Sequence, residues 1–390
     1  MLKPLSLFVL GVGAWGGNLS AQNSSTTNDT TRYTFALPGL RVTPDARFTG
    51  LCNVGIAMPA DPNSMHFNAS NLVFSPQKFN VGISYLPKLQ TTSPTINYLS
   101  LYGHLKEKTA LGGSLRTSTQ FDSSRVQSLD TAAGTWLQQQ TRRDVEANIS
   151  VARKLKENFS VALAGKFIFS GLSTDSSGKV TYTPANTFAV DISSTYQKQF
   201  KIKERDASFR AGLAITNIGG KIEYKNGTLS TASNINPNSS YLPANMGLGL
   251  SFVYHISEKH SISFAGDFNK LLVPSLGSSL IAQGQSIFES YLNSFKDSPD
   301  GAAGELKEFV YSLGMELNIN KFLYFRLGHQ GADLVSNIKS RLAGGVGFKY
   351  SFITVNAALA RPLQSSNNGN QANISVLFDV TQIGKKKDKK

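Results

Sequence analysis

Apolar and polar residues alternate one by one along many short segments of this chain, from residue 76 to near its end. Examples are FNVGISY at 79–85, VEANISV at 145–151 and MGLGLSFVY at 246–254. Successive side chains of a β-strand point to opposite faces of the sheet, so this period predicts strands with one apolar face and one polar or small face. About fourteen such segments of roughly 8–13 residues occur, and a tilted transmembrane strand needs about 9–11 residues.

The composition of the second face distinguishes two all-β folds. It contains Gly, Ser, Asn and Ala together with charged residues, namely Glu146, Asp191, Asp267, Lys349 and Asp379. A soluble β-sandwich or jelly roll would bury one apolar face in a dry core, and this is the alternative fold. A transmembrane barrel meets lipid with its apolar face and has a polar interior. The pattern therefore favours an all-β fold, a transmembrane antiparallel β-barrel of about fourteen strands.

The lengths of the predicted connections alternate as well. The short ones are charged and lie at 106–108, 154–158, 201–206, 257–260 and 319–321. The long ones are rich in Ser, Thr, Asn and Gly and include 119–142, 171–185, 218–244 and 271–305. Outer-membrane barrels have short periplasmic turns and long external loops. We therefore expect the long connections to lie on the external side of the cell outer membrane.

The two ends of the chain differ from the strand-rich part. Lys3, the apolar run 5–15 and the small residues before Gln22 are typical of a secretory signal peptide. Several prolines in residues 33–75 prevent long regular elements there. The predicted organisation is a signal peptide at 1–21, a flexible linker at 22–32, a compact segment at 33–75, the barrel at 76–383 and a Lys-rich tail at 384–390.

Charge and cysteine content exclude several classes of protein. The formal net charge is +14 and the pI is about 9.7, values typical of proteins that bind nucleic acid or an anionic membrane surface. A secretory signal argues against nucleic acid, so we expect outer-membrane lipid and no nucleic-acid partner. The Lys-rich tail either is solvated or contacts anionic lipid headgroups. Cys52 is the single cysteine, which excludes an internal disulfide and a multi-cysteine metal site.

The sequence contains no recognisable catalytic or metal-binding motif. Neither a G-x-S-x-G elbow nor a P-loop occurs. His255 and His260 are five residues apart across a predicted turn, which places them on different strands and argues against joint metal ligation. The other histidines are isolated in the sequence and are His66, His104 and His329. We expect no enzymatic activity, no cofactor and no bound metal.

One long connection contains a candidate helix. Within 276–296, apolar residues recur near helical spacing and few charges interrupt them, a pattern that predicts an amphipathic helix. Its apolar face could pack over the mouth of the barrel, or it could form a partner-binding surface. The candidate partner-binding residues are Leu280, Ile287, Phe288, Tyr291, Leu292 and Phe295.

Several stretches resemble the PorV (LptO) family of outer-membrane proteins. The N-terminal stretches VTPDARFTG, VGIA and DPNSMHFNASNLVF resemble a PDAR–GxxGVA–DxNSxxWNPA signature and lie at 42–50, 54–57 and 61–74. Other matching stretches are NIGGK at 217–221, DFNKLLVP at 267–274, DSPDG at 297–301, ELKE at 305–308 and GVGFKY at 345–350. Their order and spacing agree over most of the mature chain, and this collinearity carries the resemblance.

The resemblance implies a fourteen-stranded barrel similar to the fatty-acid transporter FadL, with residues 33–75 as a hatch in the lumen. It implies membership of the type IX secretion system of Bacteroidota, in which such proteins bind the C-terminal signal domain of exported cargo proteins. They accept cargo at the translocon barrel (Sov/SprA) and shuttle it to the cell-surface attachment complex, which contains PorU and PorZ. The implied role is that of a carrier and not of an enzyme.

The chain departs from the family pattern at three places. Leu51-Cys52-Asn53 replaces the usual Met-Gly-Asp, Phe67-Asn-Ala-Ser70 replaces Trp-Asn-Pro-Ala, and Arg326-Leu-Gly-His-Gln330 replaces Arg-Ala-Gly-Tyr-Phe. These departures indicate a divergent member or a paralogue.

Two other functions are open at this level. A FadL-like channel for hydrophobic small molecules requires an apolar pocket in the lumen and a movable hatch, and the polar inward face argues against it. A surface acyl hydrolase requires a Ser/His pair on adjacent strands, which the sequence neither indicates nor excludes.

Overall fold

The computed structural model describes residues 35–89, 93–122, 130–131, 134–135, 139–176, 179–224, 239–273, 286–298, 301–331, 340–363 and 370–382. The predicted signal peptide at 1–21, linker at 22–32 and tail at 384–390 lie outside these residues. Among the described residues, no helix is both long and apolar enough to span a bilayer.

The described residues are mostly strands. These are β1 (Phe79–Leu86), β2 (Thr95–Lys106), β3 (Thr109–Asp122), β4 (Asp130–Thr131), β5 (Gly134–Thr135), β6 (Gln139–Lys156), β7 (Phe159–Ser176), β8 (Lys179–Ile202), β9 (Arg205–Gly219), β10 (Lys221–Glu223), β11 (Ser239–Tyr241), β12 (Asn245–His255), β13 (Ser261–Leu271), β14 (Val310–Ile319), β15 (Leu323–Gln330), β16 (Arg341–Tyr350), β17 (Ile353–Pro362) and β18 (Gln371–Asp379). The α-helices are α1 (Ala46–Gly50), α2 (Ile287–Asn293) and α3 (Gly301–Lys307), and 3-10 helices span Pro38–Arg41, Pro62–His66, Ala69–Phe74 and Val380–Gln382.

Fourteen of these strands close into one antiparallel barrel, as the sequence predicts. Each barrel strand pairs with its neighbours along the chain, and β1 pairs with β18 through Val81 opposite Phe378 and Ile83 opposite Val376. The hairpins β4–β5 and β10–β11 form separate two-stranded sheets. Closure leaves the barrel without an edge strand, so every backbone group of the wall can be paired within the sheet.

The barrel has apolar side chains on its outer face and polar side chains on its inner face, the reverse of a soluble protein. On β6, Ile149 is 74% exposed on the outside, whereas its neighbours Asn148 and Ser150 are buried. The same alternation occurs on β1, where Ile83 is exposed and Ser84 is buried. The predicted split between an apolar outer face and a polar inner face is therefore confirmed.

The apolar outer face forms a belt of limited height. On β6 it includes Val145, Ile149 and Val151, and the outward residues that flank this run are Arg143 and Arg153. At roughly 3.4 Å per residue and a tilt of about 40°, the strand between the two arginines rises roughly 26 Å along the barrel axis. The apolar band of outer-membrane barrels is about 25 Å tall, so this belt matches such a membrane.

Short turns and longer connections alternate around the barrel as predicted, except between β6 and β9, where three consecutive connections are short. Two residues join β2 to β3, β6 to β7, β8 to β9 and β16 to β17. The prediction of a long loop at 171–185 is wrong, because β7 and β8 continue as a paired ribbon to Ser176 and Lys179. The predicted strand length is also too short there, since β8 has 24 residues. Both strands extend beyond the length that a membrane requires because their cross-strand pairing continues unbroken.

Residues 35–75 lie inside the barrel, and we call this segment the hatch. Helix α1 packs against β15–β18, and the 3-10 helix Ala69–Phe74 packs against β3 and β6–β8 on the other side. Several of its large apolar residues are fully buried, namely Phe48, Leu51, Met58, Met65 and Leu72. The lumen therefore contains a folded plug with small apolar clusters of its own.

We expect Ile149→Arg to destabilise the folded barrel in lipid vesicles by about 2–4 kcal/mol, because it places a charge near the middle of the apolar belt. Leu155→Arg, on the same strand near the short turn, is the matched control and should cost about 0–1 kcal/mol. Denaturant unfolding of vesicle-embedded protein measures both values. Equal costs for the two variants would contradict the proposed height of the belt.

Candidate functional site

An arginine of the hatch connects two of the matching sequence stretches to the barrel wall. The Nη1 of Arg47 donates to Asp61 Oδ2 at 2.9 Å and to the carbonyl of Pro59 at 2.8 Å. Its Nε donates to Glu316 Oε2 on β14 at 3.1 Å, and Arg326 Nε donates to the same oxygen at 2.7 Å. These charges are buried, and buried charges are stable only when paired and hydrogen-bonded. Arg47 thus holds the start of the hatch against one side of the lumen.

A carboxylate of the wall holds the backbone at the centre of the hatch. Asp267 Oδ2 on β13 accepts hydrogen bonds from the backbone N–H of Gly55 at 2.7 Å and of Ile56 at 3.0 Å. The carbonyl of Ile56 accepts from the side-chain amides of Asn68 and Asn71, each at 2.9 Å. Buried backbone groups of an irregular segment need such partners, because water cannot reach them. The Asp267 carboxylate therefore takes the place of the carbonyl acceptors that a helix or a sheet would offer to these N–H groups.

Further hydrogen bonds fasten the hatch to strands all around the lumen. Asn63 accepts from Ser100 on β2, Ser70 pairs with Thr195 on β8, and Ser251 on β12 donates to the Ala57 carbonyl. Additional contacts join Arg116 to the carbonyls of Gly39 and Val42, Ser160 to the Ser70 carbonyl, and Gln371 to Thr43 and Thr49. The inward polar residues of the barrel thus serve largely as hydrogen-bond partners for the hatch.

Glycines of the wall allow α1 to approach it closely. A Cβ at Gly328 on β15 would overlap the backbone between Leu51 and Cys52, and Gly345 on β16 contacts Gly50. Cys52 itself has a φ of 55°, a left-handed conformation that favours glycine. The family pattern has glycine at this position, so the cysteine is accommodated against backbone preference. Its side chain packs with Ala343 and Ala360, which offsets part of that strain.

Burial shifts the pKa values of several titratable groups of the hatch. Burial raises the pKa of the Cys52 thiol to about 11, and its Sγ lies 3.8 Å from the Arg341 carbonyl. Burial lowers the pKa of His66 well below its ordinary value, so this imidazole is neutral. Burial also raises the pKa of Asp45 to about 7, and this carboxyl caps α1 by accepting from the Phe48 N–H. The Cys52 thiol is therefore protonated and the His66 imidazole neutral, and both are buried within the hatch.

A buried lysine fastens the external helices to the end of β13. The Nζ of Lys270 is fully buried and lies 2.8 Å from Glu305 Oε2 and 2.5 Å from Glu308 Oε2. The rings of Phe295 and Phe309 lie 5.4 Å and 5.6 Å from this ammonium. Cation–π contacts of this kind strengthen when the cation is desolvated. The long connection between β13 and β14 is therefore held at the rim by one charged group.

The acidic groups around Lys270 are its counter-charges. Carboxylate oxygens of Asp297, Glu305 and Glu308 lie within 4.8 Å of one another, a spacing that could hold a cation. The lysine ammonium already pairs with two of the three residues. A buried ammonium in this position supplies the charge that a metal would otherwise supply.

A second contact holds α2 to the end of β9. The hydroxyl of Tyr291 donates to the carbonyl of Gly219 and accepts from its N–H, both at 3.1 Å. Nearby, Asn217 accepts from Lys166 Nζ at 2.8 Å and donates to the carbonyl of Pro243 at 3.2 Å. The stretch NIGGK at 217–221 thus contacts α2 through Gly219 and holds this helix at the end of the barrel wall.

The structure separates the predicted partner-binding residues into two groups. Leu280 lies outside the described residues. Tyr291 bonds to Gly219, Phe295 lies beside the Lys270 ammonium although it is 38% exposed, and Ile287 is partly buried. Phe288 and Leu292 are 72% and 55% exposed, one helical turn apart on α2. The two predicted roles of this helix, packing at the mouth and presenting an apolar face, therefore fall on different sides of it.

Two features of this region are absent from the sequence-based prediction. One is Leu306 on α3, which is 72% exposed. Its position within the charged run Glu305–Glu308 was the sequence feature that could have indicated this exposure. The pairing of Lys270 with Glu305 and Glu308 was also missed, although the stretches 267–274 and 297–308 both carry the family resemblance. Nothing in either stretch indicates which lysine meets which glutamate.

A closed fourteen-stranded barrel, a hydrogen-bonded hatch and fixed external helices together define a plugged barrel of the outer-membrane transport type. Residues 24–277 match the family model described as type IX secretion system protein PorV. That match covers more than half of the chain, so the chain belongs to the PorV family of type IX secretion proteins, as its motifs predicted. A search of curated proteins found no match.

Solved structures show the same fold. The toluene transporter TodX of Pseudomonas putida is 12% identical, with 85% of this chain and 96% of that chain covered and a TM-score of 0.52. The monoaromatic hydrocarbon channel CymD is 13% identical, with coverages of 88% and 98% and a TM-score of 0.50. A FadL homologue of Pseudomonas aeruginosa is 12% identical, with coverages of 87% and 98% and a TM-score of 0.44. At these identities, the first two similarities establish the fold alone.

We expect Asp267→Ala to release the centre of the hatch. A hydrogen bond to a charged group contributes about 1.5–3 kcal/mol, so amide exchange at Gly55 and Ile56 should accelerate by about tenfold or more. Hydrogen–deuterium exchange with mass spectrometry measures this. Asp206→Ala, at an exposed position near a short turn, should change nothing in the hatch. Unchanged protection in Asp267→Ala would contradict the assigned role.

We expect Lys270→Met to loosen residues 286–309, because it leaves two glutamates without their buried cation. Breaking a buried ion pair costs about 3–5 kcal/mol, so limited proteolysis should cut this segment faster than in the unchanged protein. Lys108→Met is the control, since Lys108 and Glu157 form an exposed pair that contributes about 0–1 kcal/mol. Resistance equal to that of the unchanged protein would disprove the anchoring role of Lys270.

Proposed function

We propose that this protein is an outer-membrane carrier of the type IX secretion system that binds the C-terminal signal domain of exported cargo. The observation that carries the proposal is the exposed apolar surface of Phe288, Leu292 and Leu306 on helices that are fixed to the barrel rim. Rigid apolar side chains at a solvent-exposed rim are typical anchors of protein–protein interfaces. We call these three residues the rim patch.

Location in the outer membrane is part of this proposal. The apolar belt on the outside of the barrel and the secretory signal in the sequence both support it. The long connections would then face the cell exterior, where exported cargo arrives. The rim patch lies on one of these connections, so it would be accessible to cargo and not to the periplasm.

The filled lumen supports a carrier over a protein-conducting pore. The hatch is hydrogen-bonded to strands on every side, and its buried ion pairs fix its position. A folded cargo domain could not pass through such a lumen without unfolding the hatch. We infer that cargo is received from a separate translocon barrel (Sov/SprA) and delivered to the attachment complex of PorU and PorZ.

The alternative function, a FadL-like channel for hydrophobic small molecules, has weaker support. TodX is described as a toluene transporter and CymD as a hydrocarbon channel, and their likeness to this chain extends to the fold alone. A channel of that kind needs an apolar path through the lumen. The described lumen of this protein is lined instead largely by polar and charged residues, many of them ion-paired or hydrogen-bonded to the hatch.

The test is cargo capture by a variant of the rim patch. Replacement of Phe288, Leu292 and Leu306 together by Ser should lower the amount of co-purifying cargo by at least about tenfold, since central interface residues contribute about 2 kcal/mol or more. Quantitative mass spectrometry of proteins retained from detergent-solubilised outer membranes measures this.

The matched control replaces exposed apolar residues at the opposite end of the barrel. Leu155 and Ile256 are 58% and 48% exposed near short turns, and their replacement by Ser should leave cargo recovery unchanged. The proposal is abandoned if the rim-patch variant, folded in the membrane, recovers as much cargo as the unchanged protein. A matching loss in both variants would likewise count against a role for the rim patch.

A further inference from the structure

A second feature of the lumen lies at the short-turn end, away from the rim patch. Beneath the hatch is a cavity of about 800 Å³. Lys201, Asp206 and His255, beside short turns, line its outer part, and Arg47 of the hatch lines its inner part. The cavity therefore extends from the short-turn end of the barrel to the underside of the hatch.

The charges that line this cavity do not balance. Five basic residues and four acidic residues line it, which leaves one excess positive charge. At the inner end, Arg47 and Arg326 share Glu316, and Arg47 also pairs with Asp61. Both carboxylates at this end are thus already paired with arginines.

Arg210 on β9 is the one arginine of this cavity without a carboxylate partner among the described residues. It lines the same cavity and is only 8% exposed. Its Nε and Nη1 are buried and have no hydrogen-bond partner among the described residues. A buried guanidinium without a partner is costly, because it has lost hydration and gained nothing in return.

The neighbours of Arg210 do not neutralise it. Opposite it in the sheet lie Gln197 on β8 and Ser251 on β12. The hydroxyl of Ser251 already donates to the carbonyl of Ala57. Gln197 also lines the cavity, and its side-chain Oε1 has no partner among the described residues. An arginine and an amide therefore stand side by side on the cavity wall with unused hydrogen-bonding capacity.

We propose that Arg210 is the centre of an anion-binding site for a small soluble ligand that bears a phosphate or carboxylate group and enters from the short-turn end. An oxyanion beside the guanidinium neutralises its charge and accepts hydrogen bonds from its N–H groups, and the side-chain NH2 of Gln197, not its unpartnered Oε1, supplies a further donor. The wall of paired strands separates the cavity from the lipid side. The volume exceeds that of inorganic phosphate, so the remainder of a small organic anion fits beside the charged group.

The test uses purified full-length protein in a non-ionic detergent at low salt, with inorganic phosphate and acetate as separate probes. Equilibrium dialysis with labelled probe up to about 10 mM covers the range in which a single charged site binds. We expect saturable binding of at least one probe. Absence of saturable binding of both probes overturns the proposal without the use of any variant.

Variants then place the site. Arg210→Gln should weaken binding by about tenfold or more, and Arg210→Lys, which keeps the charge, should weaken it less. Arg153→Gln, at an exposed arginine outside the cavity, is the matched control and should bind like the unchanged protein. Equal binding by Arg210→Gln and the unchanged protein overturns the proposal.

Heat-dependent migration in gels shows whether Arg210→Gln folds. If it does not fold, a second variant tests the site. Gln197→Leu keeps the arginine and removes the neighbouring amide, so it should lower the affinity for the same probe severalfold. If a folded Gln197→Leu variant binds the probe as strongly as the unchanged protein, the proposed site beside Arg210 and Gln197 is contradicted. Cargo capture is independent of this result, so the two proposals are tested separately.

Discussion

One closed sheet with an apolar outer face and a polar inner face is the constraint on which the rest of this structure depends. Closure removes edge strands, and it also encloses polar side chains such as Arg116, Asp267 and Glu316 in a narrow lumen. Enclosed polar groups need partners. The hatch supplies many of these partners through its own backbone and through Arg47. The barrel and the hatch thus form hydrogen bonds and ion pairs with each other's buried polar groups.

Strand β13 connects the hatch to the helices at the barrel rim. Within four residues it carries Asp267, which holds the hatch backbone, and Lys270, which holds the external helices. The proposed carrier function requires an apolar surface fixed to a rigid wall, because a rigid anchor loses less entropy when a partner binds. The rim patch has such support, and the cavity around Arg210 lies at the opposite end of the same lumen.

The architecture could be predicted from local patterns, whereas much of the site could not. The segments 79–85 and 145–151 alternate so regularly that their faces are unambiguous, and charged turns such as Glu107–Lys108 mark the ends of strands. The ribbon of β7 and β8 was missed because Ser- and Thr-rich sequence is compatible with both loops and strands. Leu306 was missed because a single leucine forms no helical pattern, although the charged residues on both sides of it indicated an exposed position.

The sequence by itself determined that this chain forms a closed barrel with an apolar outer face and a polar inner face. Alternation with a period of two is a local property, so each strand shows it independently of the others. The sequence also determined family membership through the order of short motifs. Only the tertiary structure decided which polar groups meet. Arg47 and Glu316 are 269 residues apart, and Gly55 and Asp267 are 212 apart, so their pairing depends on how the closed sheet surrounds the hatch. The same closure leaves Arg210 without a carboxylate partner among the described residues, since Asp61 pairs with Arg47 and Glu316 pairs with Arg47 and Arg326.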